Sequence, residues 1–285
     1  MNESRVTLSI NNHIATVSLN RPEKYNGLDL EPLQALVRTA KAVKKNRDVR
    51  VVILRGEGKA FCAGLDFATV TKTPLKMLLA FTKFGVKKTN LFQQACWAWR
   101  ELPVPVIAVL HGYCYGGGLQ LALAADFRIA TPDCELSVME SKWGLIPDMT
   151  GTVTLRELVP MDVAKELTMT GRLFKGDEAK AMNLVTRVAE DPLAEAEQQG
   201  SAVFSELLAE HNSQQVQKRQ NGRRAFDARR KAIERIGLPQ VRNHRVRELA
   251  QEEAEWKQRL EEQDNALPEL TALIMLRVAK SEGAG

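Results

Sequence analysis

Residues 106–125 read VIAVLHGYCYGGGLQLALAA, and this stretch decides the fold. Residues 106–110 are a continuous apolar run, which is typical of a strand buried on both faces. Residues 119–125 have the composition of an apolar helix. A glycine triplet, residues 116–118, separates the two, and residues 127–130 predict a further short strand. The order strand, glycine turn, helix, strand therefore favours a right-handed βαβ crossover.

The sequence on the N-terminal side continues this pattern. Residues 6–10 and 14–19 carry apolar side chains in alternation and predict a β-hairpin. Asp29 can cap a helix that begins immediately after it. Residues 51–54 form another short, continuous apolar run, which predicts a second buried strand. Because strands and helices alternate, we expect an α/β fold with a largely parallel sheet.

The C-terminal third has a different character. Helical patterns predominate from residue 193 onward, so we predict a core over residues 1–200 and a helical region over residues 201–285. Residues 214–247 contain eleven Lys and Arg against two acids, and residues 248–262 contain six acids against two bases. A basic block attracts phosphates of any kind. Its charge alone therefore does not distinguish a nucleotide-bearing ligand from RNA.

Composition places the chain among ordinary globular proteins. Its 285 residues are 44% hydrophobic and 26% charged, with a net charge of +5, which allows a full core. No run approaches the roughly 18 apolar residues of a membrane span, and the first residues show no signal or transit pattern. We therefore expect a cytoplasmic protein. The four cysteines form no CxxC pair and the four histidines are scattered, so we expect buried thiols and no metal site.

Two glycine-containing turns each follow a predicted buried strand, one at residues 58–66 and one at residues 116–118. The second turn opens a helix, whose free N–H groups favour an anion, and glycines let a ligand approach the main chain. Fixed backbone N–H groups can hold a thioester enolate oxygen, because they need no reorganisation as charge develops. The glycine spacing fits neither a dinucleotide fingerprint nor a P-loop. Close packing of a helix on a sheet would explain the triplet equally well.

Taken together with two further stretches, these turns resemble the crotonase (enoyl-CoA hydratase/isomerase) superfamily. The matching stretches are residues 19–24, 59–66, 108–118 and 143–148, and they occur in the family's order. The resemblance implies an α/β spiral of ββα units with a helical C-terminal trimerisation region. It also implies an acyl-CoA thioester substrate, a homotrimer or a hexamer, and no separate cofactor, since coenzyme A is part of the substrate.

The resemblance also implies roles for particular residues. The backbone amides of Ala63 and Gly117 would form the oxyanion hole, and Glu140 and Asp148 would be the catalytic acids. The turn around residues 60–66 resembles the one that receives the adenine end of coenzyme A. The predicted substrate-binding residues are Lys24, Ala60, Gly64, Leu65, Asp66, Gly116 and Gln120.

The acid–base side chains decide which reaction follows from the enolate. Hydratases of the family use two glutamates, and here Gln120 stands at the first position and Glu140 at the second. Glutamine can hydrogen-bond a water but cannot accept its proton, which favours isomerisation of an enoyl- or dienoyl-CoA. Asp148, eight residues after Glu140, resembles the second acid of dienoyl-CoA isomerases. It could instead cap a helix, or act as the nucleophile found in aryl-CoA dehalogenases.

Other classes of function stay open from the sequence. The chain could be an enoyl-CoA hydratase with an altered acid pair, or an inactive scaffold. It could also be an RNA-binding crotonase relative, although Phe226 is the one aromatic residue within the basic block, which disfavours a stacking platform. Residues 67–100 contain many apolar side chains, and we expect them to shape the acyl pocket.

Overall fold

The computed structural model describes residues 4–70, 79–82, 89–201, 248–255 and 257–259, with six single positions between 221 and 231. The chain divides into two compact units, Met1–Ala202 and Val203–Gly285. The elements named below all belong to the first unit. The predicted helical region and its basic block lie almost entirely outside the described residues, so the trimerisation region stays a prediction.

Among the described residues, nine strands form two sheets. In chain order they are β1 (Val6–Asn11), β2 (Ile14–Leu19), β3 (Val51–Gly56), β4 (Val106–Leu110), β5 (Tyr113–Tyr115), β6 (Phe127–Ala130), β7 (Glu135–Ser137), β8 (Phe174–Lys175) and β9 (Arg187–Val188). The larger sheet has the order β1-β2-β3-β4-β6-β9 and the smaller one the order β5-β7-β8. In the larger sheet β1 and β2 form the predicted antiparallel hairpin, and every other pair is parallel. The expectation of a largely parallel α/β sheet is therefore confirmed.

Within the described residues, seven α-helices accompany these strands. They are α1 (Leu30–Lys45), α2 (Phe67–Val70), α3 (Leu91–Arg100), α4 (Gly117–Leu123), α5 (Gly151–Leu158), α6 (Met161–Thr170) and α7 (Gly176–Ala181). Two 3-10 helices, Pro22–Lys24 and Met139–Trp143, and helical residues 192–201 complete the described core. Asp29 caps α1 as predicted, because its side chain accepts the N–H of Glu31 at 3.0 Å. The cap satisfies one of the amides that a helix start leaves without a partner.

The central strands β3 and β4 of the larger sheet are buried on both faces, which explains their continuous apolar runs. Successive side chains of a strand point to opposite faces. Val52 and Leu54 of β3 belong to the main core, which also contains side chains of α1, α3 and α4. Val51 and Ile53 belong to a second cluster that includes Ala196 of the helical residues 192–201. The sheet is thus a rigid support for the turns at its strand ends.

The cysteines, the metal-ligating side chains and the length of the helices were the subject of three expectations, and the following holds for the described part of the chain. All four cysteines are buried and form no disulfide. Across those residues, no cluster of three or more His, Cys, Asp and Glu side chains could hold a metal ion. No helix there is long and apolar enough to cross a bilayer.

Candidate active site

The two glycine-containing turns lie side by side. Cys62 and Cys114 form an isolated parallel bridge, in which the Cys62 N–H donates to the Tyr113 carbonyl and the Tyr115 N–H donates to the Cys62 carbonyl, both at 3.0 Å. A β-carbon added at Gly64 would lie 2.9 Å from the Tyr115 oxygen and 3.7 Å from the Gly117 nitrogen. The absence of a side chain at Gly64 therefore allows the first turn to contact the start of α4 directly.

Gly116 determines how α4 begins. Its φ of 49° and ψ of −119° lie in a region that residues with a β-carbon rarely adopt. Its N–H donates to the Ser137 carbonyl at 3.0 Å, which ties the turn to β7. The next amide, that of Gly117, is the first N–H of the helix and has no acceptor within it. That amide is therefore available to an external oxygen, and its role in an oxyanion hole stays a prediction.

The prediction for Ala63 is wrong. The Ala63 N–H donates to the Tyr25 carbonyl at 2.9 Å, so this amide is already engaged inside the protein. The turn pairs with the neighbouring segment as a short parallel bridge. In this bridge the Leu28 N–H donates to the Gly64 carbonyl oxygen at 2.8 Å, and the Asp66 N–H donates to the Leu28 carbonyl oxygen at 2.9 Å. In such pairing, Leu65, the residue between the two contacts, directs its own N–H to the opposite side.

The Leu65 amide is thus the free donor of the first turn. Within the described part of the chain, neither it nor the Gly117 amide has an acceptor. The family resemblance predicts Leu65 as a substrate-binding residue but gives its amide no role. The signal that identifies it is the register against Leu28, which comes from the structure and not from the motif.

A cavity of about 100 Å³ lies where the two turns meet. Its lining combines both turns with the 3-10 helix that carries Glu140. The lining residues are Ala63, Gly64, Leu65, Tyr115, Gly116, Gly117, Met139, Glu140, Trp143 and Leu145. Six residues of the predicted site therefore come together around one cavity, and sequence reasoning missed Tyr115, Met139, Trp143 and Leu145.

Glu140 is the carboxylate at this cavity, and Gln120 holds one side of it. The Gln120 Nε2 donates to Glu140 Oε1 at 2.5 Å, and the Gly151 N–H donates to Gln120 Oε1 at 2.9 Å. The backbone of Gly151 thereby fixes which end of the Gln120 amide faces Glu140. The second carboxylate oxygen, Oε2, is buried and has no hydrogen-bond partner among the described residues. One oxygen is positioned while the other stays available.

The surroundings of Glu140 make it a stronger base than an exposed glutamate. Burial raises the pKa of the Glu140 carboxyl above its ordinary value, and the charge of Asp148 raises this pKa further. The hydrogen bond from Gln120 acts in the opposite direction but does not cancel the rise. A carboxylate with a raised pKa can take and return a proton near neutrality more effectively.

Asp148 lies close enough to Glu140 to affect it, but it is not part of the cavity lining. It is half-buried, and burial raises the pKa of its carboxyl as well. The alternative role as a helix cap receives no support, since Thr150 occupies the N-cap position of α5 and that cap has no side-chain hydrogen bond. The charge of Asp148 thus acts on Glu140, while of the two predicted acids Glu140 alone lines the cavity.

The other predicted substrate-binding residues lie outside the lining. Lys24 is exposed at the end of a 3-10 helix, and Ala60 is buried with its carbonyl accepting from Asn26. Asp66 is tied to Arg21 and Thr69, and Gln120 lies behind Glu140. Their contacts with coenzyme A stay predictions.

The described residues of the predicted acyl-pocket segment, 67–100, are not among the residues that line this cavity. Residues 71–78 and 83–88 lie outside the described residues, and with them Leu75, Met77, Leu78 and Phe84. Leu79 lines a different and larger cavity, about 530 Å³, between α1 and α3. That cavity contains neither glycine turn and neither predicted acid. We therefore take the smaller cavity beside Glu140 as the candidate active site.

The fold and this site together define a member of the crotonase superfamily. The family model for enoyl-CoA hydratase/isomerase matches residues 9–244. The chain belongs to the enoyl-CoA hydratase/isomerase family and is an enzyme of that family.

Individual relatives support the same assignment. The chain is similar to the Bacillus subtilis putative enoyl-CoA hydratase/isomerase YngF, with 38% identity over 196 residues, which cover 68% of this chain and 73% of YngF. It is also similar to the (E)-benzylidenesuccinyl-CoA hydratase of Thauera aromatica, with 36% identity over 186 residues, or 65% of this chain and 70% of that enzyme. The crystal structure of an enoyl-CoA hydratase from Bacillus anthracis superposes with a TM-score of 0.63 at 30% identity, covering 75% of this chain and 84% of that one.

Proposed function

We propose that this enzyme isomerises the double bond of an enoyl- or dienoyl-CoA thioester through an enolate. The backbone amides of Leu65 and Gly117 would bind the thioester oxygen, and Glu140 would move the proton. The observation that carries this proposal is the buried Glu140 Oε2, which has no partner among the described residues although the cavity is lined by free amides. A buried carboxylate oxygen without a partner is costly unless a ligand or a proton uses it.

The proposed reaction begins with the thioester carbonyl bound by the two amides. Glu140 Oε2 removes a proton from a carbon of the acyl chain, and the electron pair of that C–H bond delocalises to give an enolate. The negative oxygen is stabilised by N–H groups that the turns already hold in place. The protonated Glu140 then delivers the proton to the other end of the allylic system, which shifts the double bond. One carboxylate suffices for this transfer.

Asp148 extends the proposal to dienoyl substrates. In a longer conjugated chain the second proton position is further from Glu140, and a second acid would be needed there. Asp148 has a raised pKa and lies near Glu140. We retain Glu140 and Asp148 as the proposed proton-transfer pair for dienoyl substrates, with Glu140 alone serving enoyl substrates.

Hydration is the second candidate reaction. Relatives named as hydratases are more frequent, and the Thauera enzyme is one of them. The peroxisomal Delta(3,5)-Delta(2,4)-dienoyl-CoA isomerase of Arabidopsis thaliana is also a relative, with 32% identity over 175 residues. Gln120 favours isomerisation, because its carbonyl is engaged by Gly151 and its N–H by Glu140. It cannot take a proton from an attacking water.

Further features of the predicted enzyme belong to the same proposal. The substrate would carry coenzyme A, so no additional cofactor is needed. We also propose a homotrimer or hexamer, a cytoplasmic location and no function in nucleic-acid binding. These rest on the family resemblance and on the composition of the chain.

A panel of thioesters tests the reaction. The purified protein would be incubated with 2-enoyl-, 3-enoyl- and 3,5-dienoyl-CoA, and products identified by mass and by absorbance of the conjugated thioester. We expect new conjugation at unchanged mass. Products heavier by one water, formed at a rate exceeding isomerisation, would instead identify a hydratase.

A further inference from the structure

The end of the first turn, residues 63–66, is held by the segment at residues 25–28, whereas Cys62 just before it pairs with the second turn. Its backbone contacts run from Ala63, Gly64 and Asp66 to the segment at residues 25–28. On the opposite side the Leu65 N–H faces the cavity and contacts no other described residue. The direction of this N–H therefore depends on the contacts that hold residues 63–66 against residues 25–28.

Arg21 joins those two segments with one nitrogen. Its Nη1 lies 3.0 Å from Asp66 Oδ2, 3.2 Å from Asp29 Oδ2 and 3.3 Å from the Gly27 carbonyl oxygen. The Arg21 side chain is only 11% exposed, as is that of Asp66, so solvent screens this contact little. Asp66 immediately follows Leu65. The guanidinium thus ties the residue next to the free amide to the segment that the turn pairs with.

Asp66 is equipped to receive this contact. The Thr69 hydroxyl donates to Asp66 Oδ2 at 2.8 Å, and the Thr69 N–H donates to Asp66 Oδ1 at 3.2 Å. Burial alone would raise the pKa of Asp66, but the bonds from Thr69 and the charge of Arg21 outweigh it and hold the pKa below its ordinary value. The carboxylate is therefore charged at neutral pH and bonded on both oxygens.

We propose that Arg21 is a positioning residue for the oxyanion hole: through Asp66 it fixes the direction of the Leu65 N–H. The inference rests on the proposed function, which assigns that amide to the thioester oxygen. Arginine suits the position because a rigid, planar group can bind several acceptors at once, whereas a lysine is a single point charge. A displacement of about 1 Å in a catalytic group can lower the rate about 100-fold. We therefore expect losing Arg21 to slow enolate formation by about 10- to 100-fold.

The chain offers a matched control in Arg5. Its Nη1 contacts the same Asp29 Oδ2 at 2.7 Å and its Nε contacts Glu31 at 2.6 Å, but no contact joins it to Asp66. Arg5→Met therefore removes a cation from Asp29 without releasing the turn. Arg21→Met releases the turn, while Arg21→Lys keeps the charge without the planar group. Asp66→Asn is a second route that removes the ion pair and keeps an acceptor for Thr69.

The experiment uses butyryl-CoA carrying ¹³C at the thioester carbonyl, a saturated probe with no double bond to shift. Three quantities are measured for the full-length protein and each variant: the infrared carbonyl frequency of the bound probe, its Kd, and the rate of α-proton exchange in D₂O. In the wild type we expect a carbonyl band at lower frequency than in solution and measurable exchange. In Arg21→Met and Asp66→Asn we expect a smaller frequency shift and exchange about 10- to 100-fold slower. In Arg21→Met we expect a Kd within about threefold of the wild type. Arg21→Lys should lie between them and the wild type, and Arg5→Met should match the wild type.

The outcomes separate the inference from the proposed function. If the wild type shifts the band and exchanges protons while Arg21→Met and Asp66→Asn match Arg5→Met, the positioning role is wrong and the proposed function stands. If the wild type binds the probe but neither shifts its carbonyl band nor exchanges its α-protons, the oxyanion hole itself is wrong, and the inference fails with it. Should Arg21→Met not fold, Asp66→Asn decides by the same comparison.

Discussion

Replacing Glu140 by glutamine tests whether its carboxylate acts in catalysis or only supports the structure. The substitution keeps the shape of the side chain, and its amide oxygen can still accept the hydrogen bond from Gln120 that the carboxylate accepts at 2.5 Å. What disappears is the ability to take a proton. A positioned general base contributes about 100- to 10,000-fold, so kcat should fall by that factor, or by about 3–5 kcal/mol of barrier. KM should change little, since the lost interaction belongs to the chemical step.

The same substitution should raise stability at neutral pH. Burial raises the pKa of Glu140, which means that the folded state disfavours its charged form. Ionisation of the carboxyl therefore costs folding free energy as pH rises from its ordinary pKa through its raised one, whereas glutamine has no charge to bury. The stability of Glu140→Gln relative to the wild type should increase over that interval and then stay constant.

Two assays on one pair of proteins test this reasoning. Isomerisation of 3-enoyl-CoA gives kcat and KM, and urea unfolding at several pH values between 4 and 8 gives the stability difference. The reasoning is refuted if Glu140→Gln retains more than about a third of the wild-type kcat, because a general base is worth far more. Equal loss of stability at every pH would instead mark Glu140 as a structural hydrogen-bonding residue.

Three further substitutions test the surroundings of Glu140. Asp148→Asn removes a negative charge that raises the pKa of Glu140, so the acidic limb of the kcat/KM profile should move to lower pH; if Asp148 is also the second acid, dienoyl turnover should be lost while enoyl turnover persists. An unmoved limb would contradict the first expectation, and full dienoyl turnover the second. Gln120→Glu restores a second carboxylate, and we expect a gain of the hydrated product by mass; its absence would show that the missing carboxylate is not what limits hydration. Gly116→Ala forces a β-carbon onto a φ of 49° and to 3.3 Å from Glu140 Oε1, so it should cost about 1–3 kcal/mol by urea unfolding and abolish most activity. A stability change below about 0.5 kcal/mol would contradict this.

Sequence patterns sufficed for the parts of the fold that depend on local physics. The runs at residues 51–54 and 106–110 predicted strands because burial on both faces leaves a continuous apolar signature. Asp29 predicted a helix start because capping is a short-range interaction. Gly116 and its neighbours predicted a turn that opens a helix, since only glycine tolerates the backbone there.

The oxyanion donor of the first turn could not be identified in this way. Ala63 and Leu65 belong to the same motif. In a regular strand their two amides would face the same side, but Gly64 between them has a φ of 89°, which interrupts that regularity. Which of them faces the cavity depends on the register against residues 25–28, and nothing in the motif specifies that pairing. The engagement of Gln120 by Gly151 is likewise a tertiary contact between residues 31 positions apart. The sequence therefore identifies the turn, and the register of this turn against residues 25–28 identifies which backbone amide faces the cavity.

Comparison with a second buried ionisable residue shows why Glu140 is a functional candidate. Arg128 is buried, and burial lowers its pKa to about 10. Its side chain nevertheless donates to the carbonyl oxygens of Leu184 at 2.7 Å and Ala125 at 2.6 Å. These hydrogen bonds within the fold offset the cost of burying the charge. Glu140 is also buried, yet Gln120 satisfies only one of its oxygens. The other, Oε2, has no partner among the described residues, and the side chain that carries it lines a cavity. A fold gains nothing from leaving that oxygen without a partner. The unpaired Oε2 is explained if the substrate supplies its partner, namely the proton that Glu140 removes.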